Sequence, residues 1–387
     1  MNDRNALIRR LLDETRKREN EIVRLLGRFV RCESPSHEKT AVDRFGKMVA
    51  AEWRARGANV RVLPRKTTGN HVRAELWLGQ GHPAGQLLAL GHLDTVYPLG
   101  TLASMPFRVA AGRARGPGVF DMKAGLVLAL FAVDALRAAR VQPGKRLVFF
   151  WNSDEEIGST TSRSEIEREA RRSDAVLVLE PAAGKSGKLK TERKGVGTAE
   201  IVVEGRAAHA GVAPGAGVNA VHEMALQIAR LMKMNEPRRG ITVQATVITG
   251  GTASNVVPAH AQAKVDIRYA HAKDAKRINR MLRSLRPILK GAHVEVHGGV
   301  NRPPLERTTG VLKLFHHAQS LAHEIGIALD ECATGGGSDG NFTAALGVPT
   351  LDGLGAIGNG AHSIDEHVMI RSLPERAALL AGLLATL

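Results

Sequence analysis

Cysteine, aromatic residues and long apolar runs are all scarce in this chain. Its 387 residues include two cysteines, Cys32 and Cys332. Neither has the spacing of a zinc ribbon or a dithiol redox pair, which excludes a disulfide scaffold and a cysteine-based metal site. Aromatics make up 4% of the residues, too few for the stacking platforms that hold single-stranded nucleic acid. The formal net charge of +16 therefore reads as a solvated basic surface, its cations dispersed in pairs such as Lys145-Arg146, Arg171-Arg172 and Arg238-Arg239. No nucleic-acid partner is expected; steering of an anionic small molecule is the other use of such a charge. The most apolar stretch, residues 125–139, is interrupted by Asp134 and Arg137 and is shorter than the roughly 20 residues that span a bilayer. Residues 1–10 lack the apolar segment of a secretory signal. The expectation is a cytoplasmic protein with no membrane association.

What is present is an ordinary globular balance, 43% hydrophobic and 24% charged, in a length that suits one large domain or two moderate ones. Leu7, Leu11, Leu12, Ile22, Val23, Leu26 and Val30 recur at helical spacing and predict one charged helix over the first thirty residues. A second helix is predicted over 38–56, ending at Gly57. Short apolar runs at 86–91, 146–151 and 175–179 then alternate with helical patterns at 122–139 and 162–172. That alternation predicts an α/β fold with a mainly parallel central sheet flanked by helices. The middle changes character. Strands at 198–203, 241–248, 261–269 and 292–296 and helices at 218–234 and 273–290 follow the order β-α-β-β-α-β of a ferredoxin-like α+β module. The expected organisation is a catalytic domain of residues 1–194 and 302–387 interrupted by an inserted domain of residues 195–301.

Polar residues gather just beyond the predicted strands. His92 and Asp94 follow the strand at 86–91, where open α/β sheets bind ligands. A neutral imidazole ligates metal well, and a carboxylate can fix its tautomer through the other ring nitrogen. Asp121 opens a helical run, where aspartate ordinarily caps, although a carboxylate can also bridge two cations. Asp154, Glu155 and Glu156 follow the strand at 146–151. Three carboxylates at a buried strand end are costly without cations. In an extended backbone Glu155 and Glu156 would project to opposite sides. Glu180 ends a further strand, and His362 sits in a glycine-rich loop. Each motif alone has a bland reading as a cap, a turn or an exposed loop. Together they form a mixed N/O donor set suited to zinc rather than magnesium or calcium, with cobalt or manganese as substitutes.

The stretches GHLDTVYP (91–98), GPGVFDMKAG (116–125), NSDEEIGS (152–159), LEP (179–181), AAHAG (207–211), GGTASNVVP (250–258), DIRYA (266–270), GGGSD (335–339) and GNGAHS (358–363) resemble, in order and spacing, the dizinc carboxypeptidase, aminoacylase and acetylornithine deacetylase family. The nearest likeness is to bacterial glutamate carboxypeptidases of the carboxypeptidase G type, and it runs from about residue 20 to the end of the chain. The resemblance implies two zincs per subunit, held by His92, Asp121, Glu156, Glu180 and His362. It implies that Asp94 orients His92 and that Glu155 is the general base. It also implies a cis peptide at Asp121-Met122. His209 would be an oxyanion donor reaching a partner subunit's site, which makes a homodimer through the inserted domain the expected assembly. Arg268 would clamp the substrate carboxylate, with Asn255, Gly336 and Gly337 as further contacts. The chain departs from the family in carrying Ala124 where glycine is usual.

The function expected is hydrolysis of an amide beside a free carboxylate, in a small peptide or an N-acyl amino acid. A carboxypeptidase releasing an amino acid such as glutamate is the first reading. An N-acyl-amino-acid deacylase, resembling acetylornithine deacetylase or succinyl-diaminopimelate desuccinylase, is the second. A non-catalytic metal-binding or nucleic-acid-binding protein is the third.

Overall fold

The structure, a computed structural model, describes residues 2–387. The chain forms two compact units: Met1–Glu192 with Arg307–Ala333 and Ser338–Leu387, and Arg193–Glu306 with Thr334–Gly337. The second unit thus takes in the glycine run 335–337, which was expected in the catalytic domain.

In the first unit the sheet passes through the strands Asn59–Leu63, His71–Leu76, Arg146–Asn152, Gln86–His92, Ala175–Val178 and Thr350–Leu351, in that order from edge to edge. The first two pairings are antiparallel and the other three parallel. Side chains alternate across a strand, and both faces are covered. Leu87, Ala89, Leu147, Phe149 and Trp151 enter a large core with Trp53, Phe45 and the helix Ala124–Ala138. Leu88, Leu90, Val148 and Phe150 enter a smaller core with Ile166 and Ala170. Burial on both faces is why these strands read as continuous apolar runs. The strand His71–Leu76 escaped that reading because it carries a buried arginine, Arg73, paired with Glu75 at 2.8 Å and Glu169 at 3.0 Å. Among the described residues no helix is long and apolar enough to cross a membrane.

Two helix predictions need correction. The first thirty residues form two helices, Asn2–Lys17 and Glu19–Val30. Arg18 leaves the helical conformation between them, and its guanidinium holds Asp134 at 2.7 Å and Glu21 at 2.7 Å. The helix predicted over 273–290 stops at Arg283. Pro287 has no N–H and disfavours helical backbone at Arg286. The next amides turn to Glu223, whose carboxylate accepts from Ile288 N and, at 2.7 Å, from Leu289 N.

The second unit is an antiparallel sheet ordered Thr242–Gly250, His260–Tyr269, Gly195–Glu204, His293–Arg302. Its helices are Ala220–Met232 and Ala275–Arg283. Ile201, Val203, Val265, Ile267 and Tyr269 meet Met224, Leu231, Ile278 and Leu282 in a core of its own. Both the element order and the strand order are those of the ferredoxin-like module.

Candidate active site

Three parallel neighbours of the first unit's sheet end on one side. His92 closes the strand Gln86–His92, Asn152 closes Arg146–Asn152, and Glu180 lies two residues past Val178. Asp121 is carried by the turn Val119–Lys123, which contains a cis Asp121-Met122 peptide. Asp121 does not cap the helix that follows; its carboxylate faces the histidines. Gly125, at the start of that helix, allows the approach: an added Cβ would lie 2.3 Å from the carbonyl oxygen of Leu179, beside Glu180. Lys123 anchors the same turn, donating to the carbonyls of Cys32 at 2.7 Å and Phe29 at 3.1 Å. Its burial pulls the Lys123 amine down to about 8. His362 is presented at φ 62° by the loop between Gly358–Asn359 and His367–Met369.

Among the described residues, two groups could hold a metal ion, His92 with Asp121 and Glu180, and Asp121 with Glu156 and His362. Asp121 belongs to both. Its Oδ1 is 3.2 Å from His92 Nε2, and its Oδ2 is 3.5 Å from His362 Nε2. Glu180 lies 3.6 Å from the first histidine and Glu156 3.3 Å from the second. Burial opposes charge on Asp121, but the two imidazoles outweigh it and hold the carboxyl well below its usual range. Asp121 and Glu156 raise the His362 imidazole to about 10. His92 is also raised: burial opposes protonation, and the hydrogen bonds to the neighbouring aspartates win. Glu156 Oε1 is buried and lies 3.3 Å from His362 Nε2 without a well-aligned hydrogen bond, a costly state for a carboxylate that a cation would relieve. The donor set and this poorly satisfied oxygen fit a dinuclear metal centre.

Asp94 lies against the other ring nitrogen of His92. The Nδ1 of His92 meets the main-chain oxygen of Asp94 at 2.9 Å, while the carboxylate is 3.5 Å away. That carboxylate instead accepts from the backbone N–H groups of Glu155 and Glu156, both at 3.2 Å, and from Ser36 Oγ at 2.8 Å. The two glutamates are not extended. They open a turn closed by Gly158 N to Glu155 O at 3.0 Å. The third acid of the run, Asp154, points away and accepts from Thr161 N, Thr161 Oγ1 and Ser162 Oγ.

Glu366 was missed by the sequence reading. Its buried carboxylate accepts from Gly118 N, Phe120 N and Asp121 N at 3.1, 2.7 and 2.9 Å, and from the Tyr97 hydroxyl at 2.5 Å. It therefore fixes the backbone that presents Asp121. The only signal was an acid four positions past His362, and the adjacent exposed Asp365 carried the same signal. Glu366→Gln places an amide N–H against these donors. It is expected to weaken metal affinity about 10–100-fold, as loss of an outer hydrogen bond to a ligand does, with unchanged circular dichroism. A chelator titration checks this, and wild-type affinity would reject the tether.

The remaining candidates lie in the second unit. His209 is exposed, and its Nδ1 accepts from Gly211 N at 3.1 Å and Val212 N at 3.0 Å. This leaves Nε2 as the protonated, donating nitrogen. Asn255 is exposed, and its carbonyl accepts from Ala210 N. Arg268 is already engaged: it grips Asp266 through Nε at 2.9 Å and Nη2 at 2.8 Å and reaches the Gly335 carbonyl. The carbonyls of Gly336 and Gly337 accept from buried Arg193.

Residues 88–386 match Peptidase family M20/M25/M40. Carboxypeptidase G2 from Pseudomonas sp. (strain RS-16) is 32% identical over 99% of this chain and 92% of its own length. Succinyl-diaminopimelate desuccinylase from Dechloromonas aromatica (strain RCB) is 29% identical over 81% of this chain and 86% of its own. In fold, the chain is similar to a metallo-carboxypeptidase from Sulfolobus solfataricus, with a TM-score of 0.77 and 17% identity over 94% of this chain and 98% of that one. The match across most of the chain, on a fold that brings the paired donor groups together, makes this protein a metal-dependent amide hydrolase belonging to peptidase family M20/M25/M40.

Proposed function

We propose that the chain is a dizinc carboxypeptidase that releases a C-terminal amino acid, such as glutamate, from a small peptide or acyl conjugate. The observation that carries this reading is the pair of three-donor groups sharing Asp121. His92, Asp121 and Glu180 would hold one zinc, and Asp121, Glu156 and His362 the other. When bound, such cations polarise the scissile carbonyl and lower the pKa of an attacking water to about 7. Glu155, fixed by its backbone to Asp94, takes the water's proton and returns it to the leaving amine. His209 donates its Nε2 proton to the oxyanion from the partner subunit of a homodimer. Arg268 meets the substrate carboxylate with the N–H groups that Asp266 leaves over, alongside Asn255 and the Gly336-Gly337 backbone. Carboxypeptidase G2 as a relative supports the choice of substrate. Cys32 and Cys332 form no disulfide, which suits a reducing cytoplasm.

Desuccinylase relatives favour a second reading, an N-acyl-amino-acid deacylase using the same groups. One assay separates the two: amine release from dipeptides ending in glutamate, N-acetyl amino acids and folate-type conjugates, before and after chelation. Turnover is expected to favour the peptides and conjugates, to vanish on chelation and to return with zinc. Preference for N-acetyl amino acids would decide for the deacylase. No turnover by the zinc-loaded protein would reject both readings.

A further inference from the structure

Residues 273–290 of the second unit hold seven lysines and arginines against one acid, Asp274. Asp274 is already held by Arg239 at 2.6 Å and Arg277 at 3.6 Å. The nearby acids are engaged as well. Glu223 accepts from the amides of Ile288 and Leu289. Glu295, on the strand packed beside the helix Ala275–Arg283, lies 3.1 Å from His293 and 3.2 Å from His297. Among the described residues, Lys276, Arg280, Arg283 and Arg286 make no ion pair. All four are exposed, and with Asn279 and Ser284 they line a concavity of about 520 Å³.

Lys276, Arg280 and Arg283 follow an i, i+4, i+7 spacing and stand in one row over about 10 Å of helix. Like charges at this spacing destabilise a helix. Arg283 and Arg286 suit the helix C-terminus, but Lys276, in the first turn, opposes the macrodipole. Packing does not require the row either, because Ile278 and Leu282 supply the contacts to the core. The groove is nonetheless ordered. Arg286 Nη1 donates to the carbonyls of Arg283 and Leu285 at 2.7 and 2.8 Å. Asn279 Oδ1 accepts from Val300 N at 2.9 Å, which leaves the amide N–H groups to donate.

We propose that this groove binds a linear oligophosphate, such as inorganic tripolyphosphate. Guanidinium groups meet phosphate oxygens through paired N–H groups. An extended anion with several charges matches the whole row, whereas a single orthophosphate meets only part of it. No aromatic or apolar side chain lines the groove, so nothing there stacks on a base. The phosphate chain alone is recognised. The groove lies wholly within the second unit and shares no residue with the proposed catalytic groups.

The test is calorimetric titration of the metal-loaded protein at about 0.15 M salt, where distant surface charges are screened. Tripolyphosphate is expected to bind at least about tenfold more tightly than orthophosphate. ATP, which carries the same phosphate chain, is expected within about threefold of tripolyphosphate. Arg280→Gln with Arg283→Gln removes two charge-assisted contacts and is expected to weaken tripolyphosphate by at least about tenfold. Arg171→Gln with Arg172→Gln removes the same charge from exposed positions of the first unit. That pair is expected to change the affinity by less than about twofold. Equal losses in the two variants would reduce the effect to bulk charge and overturn the site. An affinity that the Arg280 and Arg283 substitutions leave unchanged would put the anion elsewhere, the metal centre included, and overturns it too. ATP binding tighter than tripolyphosphate by more than about tenfold would mean that a base is recognised, and tighter binding of decathymidylate would mean a nucleic-acid strand. Either result overturns the oligophosphate assignment.

Discussion

Glu155→Gln is expected to lower kcat by about 10²–10⁴-fold, the contribution of a positioned general base, while metal content stays at the wild-type level. The selectivity follows from the turn. The N–H groups of Glu155 and Glu156 are held by Asp94, and this does not depend on the Glu155 side chain. Glutamine keeps the volume, so Glu156 stays beside His362 at 3.3 Å. What disappears is an oxygen able to carry a proton from water to amine. The check is single-turnover kinetics together with metal analysis of the same sample. Near-wild-type turnover would move the base elsewhere, and loss of metal would make Glu155 a structural residue.

His209→Ala is expected to cost about 10²–10³-fold in kcat, as removal of one oxyanion donor does, again with metal retained. The imidazole is prepared for donation because two backbone amides occupy its Nδ1. His209→Gln, which restores a donor, is expected to recover part of the loss. Mixing tests the partner subunit's involvement. Glu155→Gln and His209→Ala chains, each inactive alone, are expected to regain about a quarter of wild-type activity when random pairing completes one of two sites in half of the dimers. No recovery on mixing, with dimers verified by sedimentation, would place the histidine's action within its own chain.

Much of the architecture was legible because it depends on local periodicity. Strands buried on both faces stay apolar throughout, as at Leu87–Leu90 and Leu147–Trp151. The ferredoxin-like order could be read from element type alone. Helix limits were less legible. The break at Arg18 depends on Asp134, more than a hundred positions away, and the stop at Arg283 depends on Glu223 receiving the amides beyond Pro287.

The chemistry divides along the same line. By itself the sequence determined which residue types stand at the strand ends, His92, the Asp154-Glu155-Glu156 run and Glu180, since strand and motif are contiguous in the chain. Only the tertiary structure decided how they are used. Asp121 faces two histidines from opposite oxygens, Asp154 is consumed by hydroxyls, and Asp94 grips the backbone of the glutamates with its carboxylate while its main-chain oxygen meets the imidazole. Glu366 reaches the Asp121 backbone from 245 positions away. Hydrogen bonds between distant segments leave no periodic trace in a sequence, because either partner can be replaced by another acid or another amide until folding brings the two within 3 Å.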